Sequence, residues 1–343
     1  MRIVVDAMGS DRAPGPEVVG ALRAAMADRE LEVALVGNEV ALDAALVAAV
    51  AEADSSDAGE ASSRIEIIQA SEVVTMHDHP AQAFRQKPDS SMRIAAARVA
   101  DGKGDAVVSA GNSGAMLATS VFTLGRLKGI DRPAIVTVLP GPQGPLVLCD
   151  SGANVDPKPA MLAQFGVIGA AYDRVMHGRA RPRIGLLSNG SEPEKGTPLT
   201  RGAHEILAKA KGAFEFVGYV EGNDLFRGVV DALATDGFTG NVVLKTCEGI
   251  AEGMFGLVRQ ELERTALARL GAALAKSALR GVAKRIDYTE IGGALLAGIS
   301  KPVVIAHGRS DEAAFANAIR AGARFAEREL PNQLAQALGS LPT

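Results

Sequence analysis

The stretch VVSAGNSGAML, Val107–Leu117, decides how the chain is read. Two β-branched residues run into Ser-Ala-Gly-Asn-Ser-Gly, and an apolar helical pattern follows. This predicts a strand, a tight glycine turn and a helix N-terminus. Such a corner presents backbone N–H groups without intrahelical partners and the positive end of a helix dipole, the two ingredients of an anion site.

Working outward, short β-branched runs recur at 2–6, 31–37, 64–69, 105–110, 133–139, 145–150, 183–188, 214–218 and 302–306. Most are apolar throughout, as expected of strands covered on both faces. Helix-length Ala/Leu patterns separate them at 15–29, 40–51, 91–101, 113–127, 158–177 and 199–212. This alternation predicts an α/β fold with a mainly parallel, doubly wound sheet. The polar stretch 51–63, AEADSSDAGEASS, reads as a loose surface loop. No internal repeat at solenoid spacing is present.

The chain has 343 residues, 47% of them hydrophobic, enough for a large core in one domain or two lobes. A formal net charge of −4 and the absence of Trp argue against a nucleic-acid binder. Cys149 and Cys247 lack any metal or disulfide spacing. The start, MRIVVDAMG, has neither the basic nor the apolar region of a signal peptide, and no apolar run reaches 18 residues. A cytoplasmic protein is the expectation.

Polar residues cluster where predicted strands stop: Asp6–Asp11, Gly111–Gly114, Ser151–Asn154, Asn189–Ser191 and His307–Asp311. Any one of these alone reads more naturally as a simple turn. Together they predict one shared crevice beyond the carboxyl ends of the strands.

Nucleotide motifs fail. The only G-x-G spacing, Gly102 and Gly104, is followed by Val107 rather than glycine. In GSEPEKGT, 190–197, the order Lys195-Gly196 inverts that of a P-loop. His77 and His79 flank Asp78 without a third ligand at a recognisable spacing, so no metal site is expected. Cys247 reads more naturally as a small buried residue than as a nucleophile. What remains is an anion site. Lys195 offers a point charge after a strand. Asp236, Thr239 and Asn241, in TDGFTGNVVLK at 235–245, either cap the following helix or face a ligand.

Residues 257–285 form a second kind of feature. Leu267, Leu270, Leu274 and Ala278 share one helical face. Arg259, Arg264, Arg269, Lys276, Arg280, Lys284 and Arg285 face only Glu261 and Glu263 in charge. A basic amphipathic segment in an acidic protein fits an anionic lipid surface, an acidic partner or a dimer helix.

Taken in order, VVDAMGSDRAPG (4–15), SSMRIA (90–95), SAGNSGA (109–115), GIDRPA (129–134), DSGANVDPKP (150–159), TDGFTGNVVLKT (235–246), GGALLAG (292–298) and AHGRSD (306–311) resemble the bacterial phosphate:acyl-carrier-protein acyltransferases. The resemblance spans nearly the whole chain. One departure is Ser10, where the family usually has a second glycine after Gly9; another is the valine-poor VVDALATD before Asp236.

The resemblance implies one large Rossmann-like α/β/α catalytic domain over 1–343, related to phosphotransacetylases and isocitrate-type dehydrogenases, with a basic amphipathic segment protruding at about 250–286. It implies a homodimer, cytoplasmic and loosely held at the inner face of the cytoplasmic membrane. It also implies a reaction without a cofactor, in which inorganic phosphate takes a long acyl chain from acyl-carrier protein to give acyl-phosphate for phospholipid synthesis. An acyl-phosphate:glycerol-3-phosphate acyltransferase would follow in sequence and be a partner.

On this reading Gly111, Asn112, Ser113 and Gly114 form the phosphate cradle. Lys195 and Asp236 join Asn112 in catalysis, while Thr239, Asn241 and His307 complete the phosphate site. Leu267, Leu270, Leu274, Arg264, Arg269, Lys276 and Arg280 would contact membrane or carrier. The competing readings are a phosphotransacetylase on short acyl-CoA, an isocitrate-type dehydrogenase, and a non-catalytic binding module.

Overall fold

Valine and isoleucine stiffen the chain into extended segments whose side chains pack on both sheet faces. A computed structural model describes residues 1–53, 55–192, 194–286 and 292–342. It places eleven strands in one sheet. They are β1 (Arg2–Asp6), β2 (Glu32–Gly37), β3 (Ile65–Gln69), β4 (Ala106–Ser109), β5 (Ala134–Leu139) and β6 (Leu146–Cys149). Then come β7 (Arg183–Leu187), β8 (Glu215–Val220), β9 (Ala232–Ala234), β10 (Ala294–Ala297) and β11 (Val303–Ile305).

The helices are α1 (Gly15–Ala27), α2 (Glu39–Glu52), α3 (Ser56–Ser62), α4 (Pro80–Gln86), α5 (Ser91–Ala100), α6 (Ser113–Thr123) and α7 (Pro159–His177). They continue as α8 (Pro198–Lys209), α9 (Gly237–Glu263), α10 (Ala266–Leu274), α11 (Lys276–Ile286), α12 (Glu312–Glu327) and α13 (Leu330–Leu338).

The sheet order is β3-β2-β1-β4-β11-β10-β5-β6-β9-β7-β8. Pairing is parallel except at β11–β10, β10–β5 and β5–β6. The α/β, mainly parallel expectation holds. The three antiparallel joints add a feature that alternation alone does not reveal. The block β3-β2-β1-β4-β11 and the block β6-β9-β7-β8 run in opposite senses. Their carboxyl ends therefore meet different edges of the sheet, and the five polar loops divide into two groups.

The core explains the sandwich. Val4, Val5, Val107 and Val108 are wholly buried between helix layers, each worth roughly 1.5–3 kcal/mol of burial. Helix α7 is buried on nearly every face, with Leu162, Phe165 and Ile168 inaccessible. It packs on the second block, while α1, α5 and α12 cover the first.

Three local readings are corrected. The stretch 51–63 is not all loop: Ser55 caps α3, and Ala58 and Ala61 are buried. Alanine spacing supplies a small apolar face beneath the polar composition; Asp54 lies outside the described residues. The strands β9 and β10 are short Ala/Leu runs without a β-branched signature, and tertiary pairing makes them strands. The single long helical pattern at 257–285 is broken into α9, α10 and α11, with Thr265 accepting the Ala268 N–H to cap α10. Among the described residues no helix is long and apolar enough to cross a membrane.

Candidate active site

At the first block's edge, parallel register places Asp6 beside Ser109 and Ser109 beside Ile305. The loops that follow are tied together, with Asp11 N–H donating to the Gly308 carbonyl at 2.9 Å. Close approach requires glycine here. A Cβ on Gly9 would meet Gly111 N at 2.7 Å and Asp6 Oδ2 at 2.9 Å. Buried Ser109 Oγ donates to Asp6 Oδ2 at 2.8 Å and accepts the Gly111 N–H at 3.1 Å.

Helix α6 begins in this corner. Asn112 is its N-cap, with Oδ1 accepting the Ala115 N–H at 3.1 Å. Its Nδ2 donates to the carbonyls of Met76 at 3.2 Å and Asp78 at 3.1 Å. The Asn112 side chain is therefore committed to capping and to tethering the 75–78 loop, which removes it from the ligand donors expected of it. The Gly111 N–H is likewise used internally. The N–H groups of Asn112, Ser113 and Gly114 have no hydrogen-bond partner among the described residues. Pro80, at the start of α4, roofs the corner; a Cβ on Gly114 would meet its Cγ at 2.8 Å.

At the second block's edge a similar corner is closed by the protein itself. Asp150 Oδ1 accepts N–H bonds from Ile135 (2.9 Å), Gly152 (3.1 Å) and Ala153 (3.0 Å). Its Oδ2 accepts the N–H of Asn154 (2.7 Å) and Asn154 Nδ2 (2.9 Å). Burial raises the pKa of this carboxyl, and these donors pull it back. Asp236 caps α9, accepting the Thr239 N–H at 2.8 Å and the Thr239 hydroxyl at 2.7 Å. Gly237 N–H donates to the Asn154 carbonyl at 2.7 Å. Asp236 and Thr239 thus satisfy each other, so capping accounts for two of the three candidates here. Exposed Asn241 lies beside Gly152.

Helix α9 links the two edges. His307, after β11, lies within electrostatic range of Lys245 and Glu248 on α9, and of Arg309 and Asp11. Burial and then Lys245 lower its pKa, favouring neutral imidazole. Lys245 Nζ pairs with Glu248 at 2.7 Å. Lys195 sits elsewhere, exposed on the loop after β7 and packed along Gly190. Among the described residues its ammonium has no ion pair, and no hydrogen bond joins it to Asn112 or His307; Pro193 of that loop lies outside the description.

Cys247 is half-buried against the apolar cluster that includes Leu139 and Leu148, and burial raises its thiol pKa, so it has the character of a packing residue. His79 sits at the N-cap of α4, and Asp78 pairs with Lys87 at 2.5 Å, leaving 77–79 as a tied loop. No metal-ligating cluster of three occurs among the described residues. Leu267, Leu270 and Leu274 are 80%, 60% and 83% exposed, which leaves the α10 apolar stripe uncovered. Arg264, Arg269, Lys276 and Arg280 are also exposed, and Arg264 pairs with Glu261 at 3.3 Å. The side chains of Lys284 and Arg285 lie outside the described residues.

Sequence reading assigned no role to Ser109, Asp150, Glu17 or Lys245. Asp150 carries a usable signal, an acid ending an apolar strand just before Ser-Gly. Glu17 carries none, since an acid in a first helical turn is ordinary. It is wholly buried, its Oε1 accepts the Ser10 N–H at 3.3 Å, and its Oε2 has no well-formed hydrogen bond. Burial pushes its pKa up to about 7. The departing residue Ser10 turns its hydroxyl toward Glu17 rather than outward.

The fold is that of the phosphotransacylases. A phosphotransacetylase from Streptococcus pyogenes superposes with a TM-score of 0.62 at 17% identity, covering 99% of this chain and 94% of that one. A branched-chain phosphotransacylase from Enterococcus faecalis gives 0.58 at 16%, covering 95% and 99%. The family described as "Fatty acid synthesis protein" matches residues 1–333. Proteins named phosphate acyltransferase from Myxococcus xanthus (47% identical over 99% of this chain and 94% of that protein) and Pelotomaculum thermopropionicum (46%, 99% and 96%) are close relatives. The chain belongs to the phosphate acyltransferase family and is an acyltransferase.

Proposed function

We propose that inorganic phosphate docks on the N–H groups of Asn112, Ser113 and Gly114, with the Ser113 hydroxyl, and attacks the thioester carbonyl of a long-chain acyl-carrier protein. The observation that carries this reading is the row of three unpartnered N–H groups at the head of α6. They meet an anion with fixed dipoles that need no reorganisation. A phosphate oxygen forms the new bond to the acyl carbon, and the carbon–sulfur bond breaks through a tetrahedral oxyanion. The thiol, of ordinary pKa about 8.5, leaves as thiolate and takes a proton from solvent. Phosphate is already anionic, so positioning and desolvation are the enzyme's main tasks, and no cofactor enters.

Neutral His307 hydrogen-bonds phosphate, and Lys245 adds positive potential beside it. Lys195 and Asn241 act from the other edge on the oxyanion or the acyl donor, while Asp236 and Thr239 hold the first turn of α9. The chain works as one catalytic domain. A second copy covers Ile250, Met254, Leu257 and Val258, which share the exposed face of α9. The α10 leucines and their basic neighbours hold the dimer loosely on the anionic inner face of the cytoplasmic membrane, near the next acyltransferase in phospholipid synthesis.

The test is release of carrier thiol from palmitoyl-acyl-carrier protein with and without inorganic phosphate. Phosphate-dependent release with an acyl-phosphate trapped by hydroxylamine is expected. Phosphate-independent release would make the protein a thioesterase, and turnover of acetyl-CoA alone would move it to the short-chain phosphotransacetylases.

A further inference from the structure

Asp6 is a carboxyl buried to 1% exposure at the base of the proposed cradle. No salt bridge joins it to a cation among the described residues, so its hydrogen bonds must offset the cost of burying it. The Met8 N–H (3.4 Å) and Ser91 also meet the carboxyl, and its bond with Ser109 begins a relay. Asp6 Oδ2 receives the Ser109 hydroxyl hydrogen at 2.8 Å, which fixes the rotor and leaves an oxygen lone pair for the Gly111 N–H at 3.1 Å. The two residues are 103 positions apart, brought together by parallel register. Gly9 permits the contact, because any Cβ there would strike both Asp6 Oδ2 and Gly111 N.

We infer that Asp6 is a positioning residue for phosphate: through Ser109 it turns the Gly111 N–H inward and sets the peptide from which the N–H groups of Asn112, Ser113 and Gly114 project. This rests on the phosphate cradle proposed above. The carboxyl lies behind the loop. Burial raises its pKa, which limits the negative charge near an incoming anion. What the relay requires of residue 6 is an oxygen acceptor, not a charge.

Initial rates should be measured against phosphate and, separately, against acyl-carrier protein for D6A, D6N, S109A and D6A/S109A, with Tm for each. D6A and S109A should each raise the KM for phosphate about tenfold, the effect of one mis-set or unsatisfied donor. The acyl-donor KM and kcat at saturating phosphate should stay near wild type. D6N, which keeps an acceptor oxygen toward Ser109, should recover most of the loss. The double variant should be no worse than either single one, because both break the same relay.

An unchanged phosphate KM in S109A, additive losses, or an equal rise in the acyl-donor KM would overturn the inference. S109A removes only one oxygen and decides the matter even if D6A folds poorly. A wild-type enzyme indifferent to phosphate would instead overturn the cradle itself.

Discussion

The corners at the heads of α6 and α9 look alike in sequence, and they end up as opposites. Each is an apolar strand followed by Gly, Asn, Ser, Thr or Asp and a helix. At α6 three consecutive N–H groups have no partner among the described residues, since the Asn112 side chain reaches forward to Ala115 and back to the carbonyls of Met76 and Asp78. Near α9 the protein supplies its own acceptors, with Asp150 taking five N–H bonds and Asp236 two donors from Thr239. An open helix N-terminus is a binding device; a self-satisfied one is a fastener.

The largest effect should come from undoing the fastener. D150A strands several buried N–H groups and should cost about 3–5 kcal/mol in denaturant unfolding. If D150A kept wild-type stability and lost only phosphate affinity, the two corners would have to exchange roles.

The first block has a buried carboxyl of its own, Glu17, with one accepted N–H bond where Asp150 has five. In the native state Glu17 keeps its proton to about pH 7, against an ordinary 4.5. The native state therefore binds the proton more tightly, and this contribution to stability is full below about pH 4.5 and is lost as pH rises to about 7. The loss is about 3 kcal/mol at 1.36 kcal/mol per pH unit. E17Q should flatten that part of the stability–pH curve; an unaltered slope in urea midpoints between those pH values would rule out Glu17 as its source.

S113P tests the open corner directly. Proline at the first helical position keeps the helix and deletes one N–H together with the Ser113 hydroxyl proposed to meet phosphate. Asn112, at φ −54° and ψ 111°, already lies outside the helical region that a following proline disfavours. The phosphate KM should rise about tenfold with Tm within a few degrees. A variant with unchanged phosphate kinetics would leave the cradle without its second donor.

The smallest effect is expected for K195A, on an exposed loop of the second block. Turnover should fall no more than about fivefold, the range of a solvent-screened charge. A loss of a hundredfold or more would give Lys195 a larger share of oxyanion stabilisation than a solvent-screened charge supplies.

Much of this was legible in sequence. The β-branched runs at 2–6 and 105–110, the helical Ala/Leu spacings and the GNSG turn announce themselves through short-range chemistry. The eight motifs in order carried the family. The Ala/Leu runs of β9 and β10 lack such a signal, because pairing with buried neighbours rather than intrinsic propensity makes them strands. The Asn112 side chain could not be assigned from sequence, because the carbonyls it tethers lie 34 and 36 residues away.

Sequence by itself determined that this is an α/β acyltransferase with a glycine turn opening a helix after β4 and a basic, apolar-striped segment near 257–285. Those features depend on residue type, local spacing and order along the chain. Tertiary structure alone decided the reversal of the second block, the division of the polar loops between two edges, and which corner stays open. Each depends on pairings between residues apart in sequence: the register of Leu295 in β10 against Val136 in β5, and the hydrogen bonds of Ile135 with Asp150 and Ser109 with Asp6. A backbone N–H is available to a ligand only if no such partner has already taken it.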